Sequence, residues 1–158
     1  MLFLLDKTRL FEALQKIPNV QVQIVVFDKT IPFLKQIEIT HNSDIFIGMH
    51  GAGLTHMLFL PEWAAVFELF NCGDVNCYLD LARLKGVKYF TWKNEDLIKI
   101  SGDGTHPTLK TPHKKFNNYA FDSNEFVQIV KKMIEHVKRH PEFVEEQRRL
   151  RRLMKSEL

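Results

Sequence analysis

Short apolar runs alternate along this chain with segments of helical periodicity, and this alternation restricts the possible folds more than any other feature. Apolar residues three or four positions apart indicate helices, whereas short continuous apolar runs are typical of strands buried on both faces. The predicted order is helix 6–17, strand 20–27, helix 30–42, strand 44–48, helix 53–61, strand 64–70, helix 75–86 and strand 87–92. Such an order predicts an α/β fold with a parallel sheet and helices on both of its faces.

Punctuating residues support several of these boundaries. Pro18 and Asn19 end the first predicted helix, and Thr30 is a candidate N-cap for the helix that contains Pro32 in its first turn. Gly86 follows the helix 75–86 as a candidate C-cap.

The pattern changes in the second half of the chain. Residues 93–120 are rich in Gly, Pro, Thr and His, and they predict an irregular loop. Asp122 and Glu125 have the spacing of a capping box, and they predict that helices occupy 122–155. The whole of 1–158 is predicted to be one domain, since 45% of its residues are apolar and can form a single core.

Charge and hydropathy exclude some classes of function. The net charge of +3 is small and comes mainly from the C-terminal "EFVEEQRRLRRLMK", where the spacing of charges favours a solvated helix and gives no basis for nucleic-acid binding. No apolar run approaches the roughly 20 residues that span a membrane. The opening "MLFLLDKTRL" is too short in apolar residues for the core of a signal peptide.

The stretch "DIFIGMHGAGLTHMLFLP" (44–61) carries the clearest functional pattern. A buried strand leads through Gly51 and Gly53 into a helix, and ligands of open parallel sheets bind beyond the carboxyl ends of the strands. The amides of the turn and the N-terminus of the helix would suit a phosphate or diphosphate, to which His50 and Thr55 could add side-chain hydrogen bonds. The alternative is that the glycines only relieve crowding at the turn.

Two further residues have open interpretations. Glu68, at the end of the next predicted strand, is suited to accept hydrogen bonds from the ribose hydroxyls of a nucleotide, and its alternative is an exposed strand residue without function. His56 lies on a short apolar helix and is predicted to be a packed histidine rather than a catalytic one.

The sequence does not support three other types of site, namely an esterase site, a zinc site and a P-loop. The glycines of "HGAG" resemble those of an esterase oxyanion hole, but none of the four serines lies in a G-x-S-x-G elbow. Cys72 and Cys77 with scattered histidines do not have the spacing of a zinc site. No P-loop motif is present.

The segments "HNSDIFIGMHGAGLTHMLFLPEWAAVFELFNC" and "CYLDLARLKGVKYFTW" resemble glycosyltransferase family 61. The resemblance runs from about Gln21 to Trp92 and resumes in "HPTL", "KFNNYAFD" and the "HP" that ends at Pro141. It implies a Rossmann-like domain that forms the C-terminal, donor-nucleotide half of a two-domain GT-B enzyme. The implied reaction is inverting transfer of N-acetylglucosamine from UDP-N-acetylglucosamine to Ser or Thr of EGF-like domains in the endoplasmic reticulum lumen.

The resemblance also implies a set of donor-binding residues and a short list of partners. The partners are the UDP-sugar, proteins that contain EGF domains, and a retrieval receptor; no cofactor is expected, and the residues favour neither the presence nor the absence of a divalent metal. The candidate donor-binding residues are Gly48, His50, Gly51, Ala52, Gly53, Thr55 and Glu68.

A location in the endoplasmic reticulum lumen would explain two other features of the sequence. Cys72 and Cys77 could close a small disulfide loop, with two free thiols as the alternative. The terminal Lys155, Ser156, Glu157 and Leu158 are close to a K-D-E-L retrieval signal, with chance as the alternative.

The resemblance implies more protein than these residues supply. A lumenal enzyme needs a signal peptide, and a GT-B enzyme needs an N-terminal acceptor domain that is expected to carry the catalytic base. We therefore expect this chain by itself to bind a donor without transferring sugar. The alternative function is a non-catalytic nucleotide-binding or regulatory module.

Overall fold

A computed structural model of the chain describes residues 3–4, 7–69, 76–102, 104–106, 108–111 and 116–156. The helices are α1 (Lys7–Gln15), α2 (Phe33–His41), α3 (Cys77–Lys85), α4 (Ser123–Arg139) and α5 (Pro141–Ser156), with 3₁₀ helices at Ala52–Phe59 and Glu95–Leu97. The strands are β1 (Phe3–Leu4), β2 (Ile45–Gly48), β3 (Ala65–Glu68), β4 (Lys88–Thr91), β5 (Ile98–Ser101) and β6 (Asn118–Phe121).

Strands β2, β3 and β4 form a parallel sheet in that order, as the alternating pattern predicts. Alternate residues of β3 enter two separate cores, because successive side chains of a strand point to opposite faces. Ala65 and Phe67 pack with α1 and α4, whereas Val66 packs with the first 3₁₀ helix and α3. The sheet is therefore covered on both faces, which explains why β3 is buried along its whole length.

A second sheet has mixed directions. In it β6 pairs in parallel with β1 and antiparallel with β5. Tyr119 and Phe121 of β6 are buried in the same core as Phe67, so this sheet is joined to the parallel one through side-chain packing. The α/β class is confirmed, and the assignment to a GT-B donor domain stays a prediction.

Two helix ends follow the sequence signals closely. Gly86 caps α3 in the left-handed conformation (φ +87°), which glycine adopts without steric strain. Asp122 caps α4, since its Oδ1 accepts hydrogen bonds from the amides of Asn124 and Glu125.

Three sequence predictions of local structure were wrong. Residues 20–27 form no strand, because a strand needs a neighbour for its backbone hydrogen bonds and this segment pairs with none in the described part of the chain. Helix α2 begins after Pro32 rather than at Thr30, and Asp28 accepts hydrogen bonds from both the amide and the hydroxyl of Thr30. The range 93–120 is not wholly irregular, since it contains β5 and most of β6.

No helix in the described ranges has both the length and the apolar character needed to cross a membrane.

The Asp122 cap yields a test of the fold. Asp122→Ala removes the acceptor for two amides at the start of α4, and we expect it to lower the free energy of unfolding by about 1 kcal/mol. Asp122→Asn keeps a side-chain oxygen and is expected to change stability by less than half of that amount. Urea unfolding followed by circular dichroism measures both, and equal losses in the two variants would contradict the cap.

Candidate functional site

The carboxyl ends of the three parallel strands meet at one edge of the sheet. Their last residues, Gly48, Glu68 and Thr91, are register neighbours across the sheet. The segment "MHGAG" leaves β2 at this edge and leads into the 3₁₀ helix. The structure therefore brings the predicted glycine turn and Glu68 together.

Gly48 has a packing role at the start of the turn. A Cβ atom there would lie 2.9 Å from Cδ2 of Leu54, an almost fully buried residue of the 3₁₀ helix. The absence of a side chain at Gly48 thus lets the helix approach the end of β2. Its contact with a donor stays a prediction.

Gly51 and Gly53 differ from Gly48 because both of them face open space. Nothing lies within 4 Å of a Cβ built on either residue, and Gly51 also has φ +154° and ψ 171°, a conformation almost confined to glycine. The first amides of a 3₁₀ helix have no partner within the helix, and no side chain caps this one among the described residues. The turn therefore presents hydrogen-bond donors to a space that an anion can enter.

Glu68 lies beside the turn and is 2% exposed. Its Oε1 is 2.5 Å from Nδ1 of His50, and its Oε2 accepts a hydrogen bond from the hydroxyl of Tyr89. A carboxylate only accepts hydrogen bonds, so Nδ1 of His50 carries the hydrogen. Both oxygens of Glu68 have protein partners, so a ribose hydroxyl would have to share them. The binding of ribose by Glu68 stays a prediction.

The contact with Glu68 fixes the imidazole ring of His50. Its other nitrogen, Nε2, has no hydrogen-bond partner in the part of the chain that the structure describes, and the side chain is 18% exposed. The rings of His50 and Tyr78 also meet edge to face, with centroids 5.0 Å apart. His50 therefore has one nitrogen held by the protein and one available to a ligand.

The two tyrosines remain protonated at neutral pH. Burial raises the pKa of Tyr89 far above its usual range, and the hydrogen bond to Glu68 adds to this effect. Burial also raises the pKa of Tyr78, with smaller contributions from Cys77 and Glu68. Both phenols are thus neutral.

The remaining candidates of the turn are engaged locally or exposed. The hydroxyl of Thr55 donates to the carbonyl of Ala52, and both residues are exposed. His56 is a packed histidine, as predicted: its ring stacks on Phe27 at 4.3 Å and contacts Gln36 Oε1 and the Gly53 carbonyl through its two nitrogens.

Several predicted features fall partly outside the described residues. Cys72, Glu157 and Leu158 are not described, whereas Cys77 begins α3 in an exposed position and Lys155 and Ser156 end α5. The disulfide and the retrieval signal stay predictions. No group of three or more His, Cys, Asp or Glu side chains within the described ranges is arranged to hold a metal ion.

Sequence reasoning missed Tyr89 and Tyr78. Tyr89 pairs with Val66 in the register of the sheet, so its side chain lies on the same face as Val66 and Glu68. The alternation within "VKYFT" contains this information, but it becomes usable only when the pairing with β3 is known. The position of Tyr78 depends on the packing of α3 and had no local signal.

A groove of about 560 Å³ lies elsewhere, where the 3₁₀ helix of Ala52–Phe59 ends. Phe59, Trp63 and Glu142 are among the residues that line it, and it contains none of the predicted site residues. The groove is therefore separate from the glycine turn.

Comparison with known proteins points to one family. The profile of the family described as Glycosyltransferase 61 matches residues 4–67. The EGF domain-specific O-linked N-acetylglucosamine transferase of Bos taurus is 53% identical over 141 residues, which are 89% of this chain and 27% of that protein. Proteins of the same name from Xenopus laevis (53% over 138 residues, 87% and 26%) and Drosophila melanogaster (50% over 139 residues, 88% and 26%) are also similar. This chain spans about a quarter of the length of these relatives.

The different surroundings of Gly48 and Gly53 predict different effects of an added methyl group on stability. Gly48→Ala places a Cβ against Leu54 and is expected to lower the free energy of unfolding by about 1–3 kcal/mol. Gly53→Ala meets no neighbour and is expected to change it by less than about 0.5 kcal/mol. Urea unfolding monitored by tryptophan fluorescence compares the two variants, and similar stabilities would contradict the packing role of Gly48.

Proposed function

Because this chain belongs to the glycosyltransferase 61 family, we propose that its glycine turn binds the diphosphate of a sugar-nucleotide donor. The observation that carries this proposal is the position of His50, which lies in the turn and contacts Glu68. Glu68 holds one nitrogen of the imidazole, and the other nitrogen has no hydrogen-bond partner among the described residues. Amide donors of the 3₁₀ helix and a histidine donor would then meet the phosphate oxygens from two sides.

The open space at Gly51 and Gly53 supports the same proposal. A diphosphate binds amide groups well only when it can approach the backbone closely, and a side chain at either position would project into that space. Ala52 and Thr55 lie on the exposed surface of the same turn. The turn therefore combines access with hydrogen-bond donors, and no acidic side chain of the 3₁₀ helix opposes an anion there.

We extend the proposal to the reaction that the resemblance to this family implies. The donor is UDP-N-acetylglucosamine, the acceptor is a Ser or Thr hydroxyl of an EGF-like domain, and the transfer inverts the configuration at the anomeric carbon. The names of the relatives support N-acetylglucosamine as the transferred sugar and an EGF domain as the acceptor. The terminal sequence from Lys155 to Leu158 supports a location in the endoplasmic reticulum lumen and a retrieval receptor as a partner.

In the proposed function the candidate residues have different roles. His50, Gly51, Ala52 and Gly53 contact the diphosphate, whereas Glu68 and Tyr89 orient His50 from within the protein. Gly48 keeps the 3₁₀ helix close to the sheet. The base that deprotonates the acceptor hydroxyl belongs, in this proposal, to a part of the enzyme that these residues do not supply.

The diphosphate contact predicts a large effect at Gly53. Gly53→Val introduces a branched side chain where the ligand approaches, and we expect it to weaken binding of UDP-N-acetylglucosamine by about tenfold or more, equivalent to about 1.4 kcal/mol. Titration calorimetry measures the affinity. Gly53→Ala, with a smaller side chain, is expected to show an intermediate loss, and thermal unfolding serves as the control for folding. Unchanged affinity in a folded Gly53→Val protein would contradict the proposal.

The contacts of Glu68 predict which ligands bind more weakly when its side chain is removed. Because Glu68 orients His50, Glu68→Ala is expected to weaken binding of both UDP and inorganic pyrophosphate by about fivefold or more. A direct contact between Glu68 and the ribose would instead weaken only UDP. Competition titrations with the two ligands, on protein whose circular dichroism matches that of the parent chain, distinguish the two roles.

A further inference from the structure

We infer that the second half of α5, residues 147–156, binds the surface of membranes that contain anionic lipids, with the helix axis in the plane of the surface. This interaction is separate from the proposed diphosphate site. The first half of α5 packs on the protein, since Phe143 packs against the larger core and its ring meets that of Trp63 with centroids 6.0 Å apart. From Arg148 to Ser156, in contrast, every residue is exposed.

Three apolar side chains form a stripe along this exposed half of the helix. Leu150, Leu153 and Met154 are spaced by three and four residues, so they lie on one face. Their exposed fractions are 39%, 47% and 69%. Phe143 lies on the same face two turns earlier, so the face that packs on the protein continues as an uncovered apolar stripe. A helix of a globular protein normally turns such a stripe toward its core.

Cationic side chains occupy the remaining circumference of the same segment. Residues 147–156 contain five cations and no acidic side chain, and they therefore carry more net positive charge than the whole chain, whose net charge is +3. One of the five is paired, because Arg149 contacts Glu146 at 2.6 Å. The others form no ion pair with the residues that the structure describes, and they are Arg148, Arg151, Arg152 and Lys155. The segment is thus complementary in charge to a strongly anionic surface.

A lipid surface matches the distribution of these groups around the helix. A helix with an apolar stripe and a wide cationic face lies at the boundary between lipid headgroups and acyl chains. At that depth the stripe leaves water, and the two arginines that flank it, Arg149 and Arg151, can extend their charged ends to the headgroups. The cations on the far side lie within about 10 Å of the surface, a distance over which its negative potential still acts. A planar anionic surface therefore attracts all of the cations at once.

Two other occupants of the stripe fit less well. A second copy of this helix would bring the arginines beside the two stripes together, and like charges repel. Three apolar side chains also offer far less than the roughly 800 Å² that each partner buries in a standard protein interface. An acidic groove in another protein would contact the stripe and its flanks, but it would leave the cations on the opposite side in water.

Sedimentation with lipid vesicles tests the inference on the whole 158-residue chain. The vesicles contain phosphatidylcholine alone or phosphatidylcholine with about 30% phosphatidylserine. We expect the chain to bind the anionic vesicles at least about tenfold more tightly, and this binding to weaken by about tenfold or more between about 50 and 500 mM salt, because salt screens the charges. Equal binding to the two kinds of vesicle, or absence of binding to both, would overturn the inference and leave the proposed function intact.

A matched pair of charge variants assigns the binding to α5. Arg151→Glu with Arg152→Glu reverses two charges of the segment and is expected to weaken binding to the anionic vesicles by about tenfold or more. Lys131→Glu with Lys132→Glu reverses two exposed charges of α4, and it is expected to change the affinity by less than about threefold. Equal losses in the two proteins would indicate attraction by net charge alone and would overturn the assignment.

A second pair of variants tests the apolar stripe. Leu153→Ser with Met154→Ser keeps every charge and is expected to weaken binding to the anionic vesicles by about fivefold or more. Leu84→Ser changes a leucine of α3 that is 84% exposed, and it is expected to leave the affinity unchanged. Binding that survives loss of the stripe would overturn insertion of the helix into the surface. Tighter binding to soluble polyglutamate than to the anionic vesicles would overturn lipid as the occupant and favour an acidic protein partner.

Discussion

A carboxylate buried in an apolar core requires hydrogen-bond partners, and Glu68 imposes this requirement on the end of the parallel sheet. Its partners come from two separate parts of the chain, His50 in the turn after β2 and Tyr89 in β4. Removing either partner would leave a buried acceptor incompletely satisfied, which costs about 1–3 kcal/mol. The contacts therefore tie the turn to the sheet, and the position of the turn depends on the same atoms that orient its histidine.

The sequence was informative where structure depends on local signals. Gly86 and Asp122 cap helices as their residue types predict, because a left-handed C-cap and an N-terminal acceptor are local requirements. It was uninformative where structure depends on partners. Residues 20–27 have the composition of a strand without forming one, whereas β5 lies in a stretch that was predicted to be irregular. In both cases, pairing with a distant segment decided the outcome.

The candidate site shows the same division. Its backbone could be predicted, since an apolar strand followed by a glycine turn and an apolar helical segment is a local pattern, and the register places the turn beside Glu68. The role of Glu68 could not be predicted in the same way. An acidic residue at a strand end is compatible with a ligand contact and with an internal hydrogen bond, and only the position of Tyr89 beside it shows that both of its oxygens have protein partners.

In the proposed function, the described residues of this site would recognise a diphosphate rather than a particular sugar. Amides at the start of a 3₁₀ helix and one imidazole recognise charge and oxygen atoms, which every nucleoside diphosphate sugar offers in the same arrangement. Selectivity for N-acetylglucosamine then requires contacts with the acetamido group. The site also separates stability from recognition within a few residues: Gly48 and Glu68 contribute to packing and internal hydrogen bonds, whereas a side chain at Gly53 would meet no neighbouring atom. If the proposed function holds, small side chains at Gly53 act mainly on ligand binding, while changes at Glu68 act on the fold and on ligand binding together.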